Sequence, residues 1–169
     1  MNNTDRTILL PLRKPYFEKY LRFVFKSHRT GIIEVNRHAE LGKYLYSRVR
    51  YCEPDKVPDY HEQYNVASLK MPAVGTDLSR NHFMYYNADD ITRINDFIES
   101  ISYLDFRLMV HSGVVDLNLN RKTVIEIFSD MVYGDADKYD MLKKDEYRKR
   151  RRIQEFILTA SKNYAYKPK

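Results

Sequence analysis

Apolar positions along the chain change period several times, and each change predicts an element. Thr7 to Arg13 reads as a short strand, and Pro15 follows where a helix tolerates proline, at its first position. Tyr16, Phe17, Tyr20, Leu21, Val24 and Phe25 recur at spacings of one, three and four, so they share one side of a helix. Lys19, Arg22 and Lys26 fall on the other side, as a solvated basic stripe. Gly31 to Val35 predicts a second short strand, and Leu41, Tyr44, Leu45 and Val49 a second helix despite Gly42. Residues 51 to 63 carry Pro54 and Pro58 among charges and read as an exposed loop. Tyr64 to Met71 and His82 to Tyr86 lean towards strand and could pair as a hairpin with a long loop.

From Asn87 the period becomes helical. Asn87 is a plausible N-cap, and Asp89 and Asp90 suit the positive end of a helix dipole. Ile91, Ile94, Phe97, Ile98, Ile101, Leu104 and Leu108 then form a broad apolar face, predicting the main core helix with an end near His111 to Gly113. Asn118 or Asn120 caps another helix, with Val124, Ile125, Ile127, Phe128, Met131 and Val132 on its apolar side and Gly134 as its stop. Asp137 caps a further helix to about Asn163, so helix, glycine turn and helix outline a helix-turn-helix. The fold class expected is α+β. A small mixed domain over residues 1–117, for dimerisation or partner contact, precedes a helical, helix-turn-helix-like segment over 118–169.

Charge sharpens this division. The chain carries a net +6; residues 1–120 hold 16 basic and 15 acidic side chains, whereas 121–169 hold 13 and 8. Within the last helix Lys143, Lys144, Arg148, Lys149, Arg150, Arg151 and Arg152 stand against only Asp145 and Glu146. Its apolar positions are Leu142, Ile153, Phe156, Ile157 and Ala160, and the periodicity asks for apolar residues at 146 and at 149 or 150, where Glu146, Lys149 and Arg150 stand. The basic stretch is therefore expected to lack a core-facing side and to lie in solvent or against a polyanion. In a nucleic-acid complex, Lys143, Lys144, Lys149 and Arg152 would neutralise phosphates and the Tyr147 hydroxyl would reach one, while Arg148 and Arg151, three apart, would read base edges.

Two patches carry a resemblance. Leu10-Pro11-Leu12-Arg13-Lys14-Pro15-Tyr16-Phe17-Glu18-Lys19-Tyr20-Leu21 and Leu142-Lys143-Lys144-Asp145-Glu146-Tyr147-Arg148-Lys149-Arg150 resemble parts of small proteins of phages and integrative elements. Val124-Ile125-Glu126 and the run Tyr147 to Ile153 are similar to the helical DNA-binding region of bacterial replication initiators and phage transcription activators, without the initiators' signature motif or nucleotide-binding domain. The resemblance implies a DNA-associated protein of phage or mobile-element type and names no reaction.

Catalytic and metal patterns are weak by comparison. The 5 histidines, His28, His38, His61, His82 and His111, are dispersed, and only the loop Asp59-Tyr60-His61-Glu62 gathers acid, base and phenol. Asp135-Ala136-Asp137 begins like a calcium loop and puts Glu146 at its twelfth position, yet Tyr139 and Asp140 stand where a ligand and the turn glycine belong. Pro58-Asp59 starts a nuclease pattern, but Ser68-Leu69-Lys70 lacks its second carboxylate, and the paired histidines of tyrosine nicking enzymes are missing. No Walker loop, Rossmann glycine series or nucleophile elbow occurs.

With 43% hydrophobic residues, 5 Gly and 6 Pro, the composition is that of a folding chain, which at this length hides roughly 70% of its unfolded surface. Cys52 stands alone, excluding a disulfide framework and fitting a reducing compartment. No run approaches the ~18 apolar residues of a membrane span, and the interrupted apolar run at Ile8 to Leu12 draws no signal peptide. The expectation is a cytoplasmic, non-enzymatic DNA-binding regulatory or accessory protein of phage or mobile-element type, without metal or cofactor. It contacts double-stranded DNA, with a homodimer allowed and no membrane partner. The alternatives are a virion-associated structural or assembly protein that binds nucleic acid or an acidic partner non-specifically, and a small nuclease or nicking enzyme.

Overall fold

A computed structural model describes residues 6–27, 31–53, 56, 58, 60, 65–72, 83–134 and 137–165. The architecture is α+β, with mixed sheets and short helices first and long helices after them. Two compact units divide the chain, Met1–Asp105 and Phe106–Lys169, and the division falls inside a single long helix.

The first unit is built on strand alternation. β4 (Val66–Met71) buries Ala67, Leu69 and Met71 on one face. β1 (Arg6–Pro11) pairs with it antiparallel, setting Ile8 opposite Leu69 and Leu10 opposite Ala67. β2 (Ile33–Glu34) pairs with it in parallel on the other side, Ile33 also opposite Leu69, so the sheet order is β1-β4-β2. Matching apolar positions on a shared face fix this register, because a slip of one residue would turn them to the opposite face. α1 (Tyr16–Val24) buries Phe17, Tyr20 and Leu21, and α2 (Glu40–Ser47) buries Leu41 and Leu45.

The hairpin expected between residues 64–71 and 82–86 does not form. β5 (Phe83–Tyr85) has three residues, too few to cover β4, and pairs instead with β3 (Arg50–Cys52). β3 also replaces the first residues of the expected exposed loop. Tyr60, farther along that loop, is buried and donates its hydroxyl to the Tyr86 carbonyl.

α3 (Ala88–Val115) is tied to this unit by polar side chains at chosen points. Asn87 caps it, accepting the Asp90 N–H at 2.7 Å. Asp90 is buried, and Arg50 Nε donates to it at 2.5 Å. Burial, with the charge of Asp90, pushes the Tyr86 hydroxyl far above the ordinary tyrosine range, so it remains a donor, to the Leu45 carbonyl at 3.3 Å. Buried Asn95 accepts the Arg13 N–H at 2.8 Å and donates to the Pro11 carbonyl at 3.0 Å, closing two backbone groups where β1 ends.

The apolar face of α3 differs from the expected one in its second half. Ile94, Ile98, Ser102, Phe106 and Val110 are buried, whereas Leu104 and Leu108 are exposed. Steps of four residues overshoot a turn by about 40° each, so the buried row winds round a helix this long and leaves those leucines aside.

The second unit comprises the end of α3, α4 (Arg121–Phe128) and α5 (Asp137–Ala165). Asn120 caps α4 by accepting the Lys122 N–H at 2.9 Å. α4 runs directly into one π-helical turn, Ser129–Tyr133, closed by the Gly134 N–H on the Ser129 carbonyl at 2.9 Å. Gly134 has φ 62°, the left-handed conformation in which glycine carries no side-chain penalty, and it ends the helix as the pattern predicts. Phe106, Val110, Val124, Ile125, Phe128, Val132 and Leu142 form the core, with the Phe106 and Phe128 rings 5.2 Å apart. Gly113 makes a close approach possible, since a Cβ there would meet the Val124 side chain at 2.7 Å.

Replacing Asn95 with Ala leaves the Pro11 carbonyl and Arg13 N–H without their partner. The expected cost is about 2–4 kcal/mol, read from the midpoint of urea unfolding at unchanged slope.

Candidate nucleic-acid interface

α5 has a packed face after all. Leu142 and Glu146 are buried, with Lys138, Tyr139, Met141, Asp145 and Lys149 half-buried around them. The expectation that the basic stretch lacks a core-facing side is corrected by the buried carboxylate. Glu146 stands where the periodicity calls for an apolar residue and pairs with Arg121, the first residue of α4. Asp145 accepts from Arg107 of α3 at 3.3 Å. The Arg121 side chain stays about one third exposed (35%), so only one member of the main pair loses most of its water.

With Glu146 turned inward, the adjacent face of α5 forms a groove with α4. Its volume is about 470 Å³, and Ile125 lies on its apolar lining. Arg121 and Lys122 from α4 face Lys143, Lys144, Arg148 and Arg150 from α5, with Tyr139, Tyr147, Asp140 and Glu146 among them. Arg121 offsets Glu146, and Lys122 lies 3.7 Å from Glu126 of its own helix. Among the described residues no carboxylate is within ion-pair distance of Lys143, Lys144, Arg148 or Arg150. Two of these cations lie over rings instead. Lys143 Nζ is 5.8 Å from the Tyr139 ring, and the Arg150 guanidinium 5.8 Å from that of Tyr147.

The residues singled out from sequence separate into three places. Lys143, Lys144, Tyr147 and Arg148 line the groove. Lys149 turns to a second hollow of about 220 Å³, shared with Arg107, Val110, Val114 and Ile153. Arg151 and Arg152 are exposed outside both hollows. Arg151 Nε donates to Glu155 at 2.9 Å, and this hydrogen bond, with the charge behind it, holds the guanidinium above its ordinary pKa. Of the pair expected to read bases, Arg148 is thus in the groove and Arg151 is engaged elsewhere.

Sequence reading missed Arg121, Lys122 and Arg150. Arg150 was concealed by its neighbours in the basic run. Arg121 and Lys122 did carry a signal, because two cations in the first turn of a helix oppose its dipole and need another reason to be there. Arg121 has that reason in Glu146.

Among the described residues no group of three or more His, Cys, Asp or Glu side chains could hold a metal ion, and no helix is long and apolar enough to cross a membrane. His28, Asp59, His61, Glu62, His82, Asp135 and Ala136, weighed above for catalysis or metal, lie outside the described residues. No family model, curated protein or solved structure matches the chain.

Glu146→Ala should leave Arg121 without its counter-charge and lower stability by about 1–3 kcal/mol, less than for a fully buried pair because Arg121 keeps some water. A double-mutant cycle with Arg121→Ala, followed by chemical unfolding, isolates the pair: the double variant should be closer to Glu146→Ala than additivity requires.

Proposed function

We propose that the C-terminal helical unit binds nucleic acid, duplex DNA in the first place, with the phosphate backbone entering the groove between α4 and α5. The supporting observation is the wall of four cations, Lys143, Lys144, Arg148 and Arg150, none paired with a carboxylate among the described residues, set beside two tyrosines. Each such cation that neutralises a phosphate releases a counterion condensed on the nucleic acid. Tyr147 adds a hydroxyl able to donate to a phosphate, and Arg148 and Arg150 have the planar fork that matches a guanine edge.

Magnitudes agree with a short contact. From Lys143 to Arg150 the helix advances about 11 Å, which covers about three nucleotides of one strand at ~3.4 Å each. Three to four neutralised phosphates correspond to a slope near −3 in log affinity against log salt. Arg151, already engaged by Glu155, contributes less to this count than the groove residues. On this reading the chain is a DNA-binding regulatory or accessory protein. The phage or mobile-element setting is supported by the resemblance at the start of the chain and in α5.

Fluorescence anisotropy with labelled duplex DNA, single-stranded DNA and RNA across salt tests the reading. Duplex binding should weaken with salt at the stated slope, and Lys143→Ala, Arg148→Ala and Arg150→Ala should each reduce that slope by about 0.9. Arg151→Ala should change it less. Salt-independent binding, or a triple groove variant that binds like the original chain, defeats the proposal. Equal affinity for selected and random duplexes would place the protein with the non-specific packaging or assembly class.

A further inference from the structure

The packed face of α5 continues beyond its support. Steps of three and four from Leu142 and Glu146 lead through Lys149 to Ile153, Phe156, Ile157 and Ala160, which share an arc of about 100° on the helix. Among the described residues this continuation loses its cover progressively: Ile153, still bordering the second hollow, is 56% exposed, Phe156 74% and Ile157 57%. Leu158, also exposed at 60%, points to another side. Three large apolar side chains gathered on one stripe of a charged helix mark a contact surface rather than scattered exposure.

We infer that this stripe is a self-association surface on which a second copy of the chain packs its own α5 antiparallel. Charge selects the occupant. In a chain with 31% charged residues, Ile153 to Ser161 contain one charge, Glu155, and it is engaged by Arg151 at 2.9 Å. Polyanions, anionic membranes and acidic helices all require cations along the apolar face, and here the cations lie N-terminal to it. A second copy requires only matching apolar area and no like charges along the contact.

Charge and shape also select the direction. Parallel pairing would set the two Arg148-to-Arg152 runs side by side. Antiparallel pairing about the point between Phe156 and Ile157 separates the centres of those runs by about 20 Å along the axis. It sets Ile153 opposite the small Ala160 at each end and Phe156 opposite Ile157 at the centre, so the bulk is gathered at the middle of the contact. The contact uses no cation of the groove and stands whether or not the groove binds nucleic acid.

Sedimentation velocity of the full chain, without nucleic acid and over a concentration series into the high micromolar range, tests the surface. The unsubstituted chain should form a dimer, the double variant Phe156→Glu with Ile157→Glu a monomer, and Leu158→Glu a dimer still. All three should show the same helical circular dichroism, because the substituted positions are exposed. A monomer throughout for the unsubstituted chain, a dimeric double variant, or a monomeric Leu158→Glu each overturns the inference. Direction is read in a Cys52→Ser background by mixing Ile153→Cys protein with Ala160→Cys protein under mild oxidation. The mixed disulfide should exceed either disulfide between like copies, and the reverse excess overturns the antiparallel arrangement.

Discussion

Glu146 and Arg121 meet on the packed face of α5, and the arrangement of the C-terminal unit follows from that meeting. A carboxylate in the position of a core residue loses much of its hydration and needs a cation within reach, which the first turn of α4 supplies. The pair therefore defines the rotation of α5 about its own axis. Once Glu146 faces inward, Lys143 and Tyr147 stand on the adjacent wall, Lys149 on the opposite flank, and Arg150 borders both hollows. An apolar residue at 146 would hold the helices together equally well but would tolerate a wider range of rotations, because the hydrophobic effect has no direction.

α5 presents different surfaces along its length, with its buried residues and its exposed apolar stripe on one continuing arc and most of its cations beside it. Its first turns bury Leu142 and Glu146, its middle turns present the cations, and its last turns present Ile153, Phe156 and Ile157. The low mean hydropathy of the chain, −0.63, conceals this, since an average cannot distinguish a uniformly polar helix from one whose polar and apolar residues are sorted onto different arcs.

Much of the fold was legible because local rules govern it. The alternation at β1 and β4, the proline-led start of α1, the caps at Asn87 and Asn120 and the stop at Gly134 all depend on residues close in sequence. Strand partnership was not legible, since the choice between β1 and β5 for β4 rests on length and on apolar positions far apart in the chain. The basic character of α5 was equally open to reading, but its inward face was not. Glu146 reads as solvent-facing until Arg121, 25 positions earlier, is placed beside it. The split between Arg148 and Arg151 depends in the same way on Glu155, four residues on, capturing the second arginine and not the first.

The π turn at Ser129–Tyr133 brings a different kind of tolerance, in residue number instead of residue type. A π turn holds one more residue than the α turn it replaces, so losing any single residue from this segment could be absorbed as ordinary α-helix with no break in the chain. The hydrogen bonds would be recovered, and because four α residues sweep nearly the same angle as the five of the π turn, Gly134 would keep its direction round the α4 axis. The left-handed exit towards α5 would then start in the same direction, and Glu146 would still meet Arg121. The turn thus holds a spare residue: a one-residue deletion here costs the packing of the side chain removed, while every helix and the direction of the basic wall are preserved.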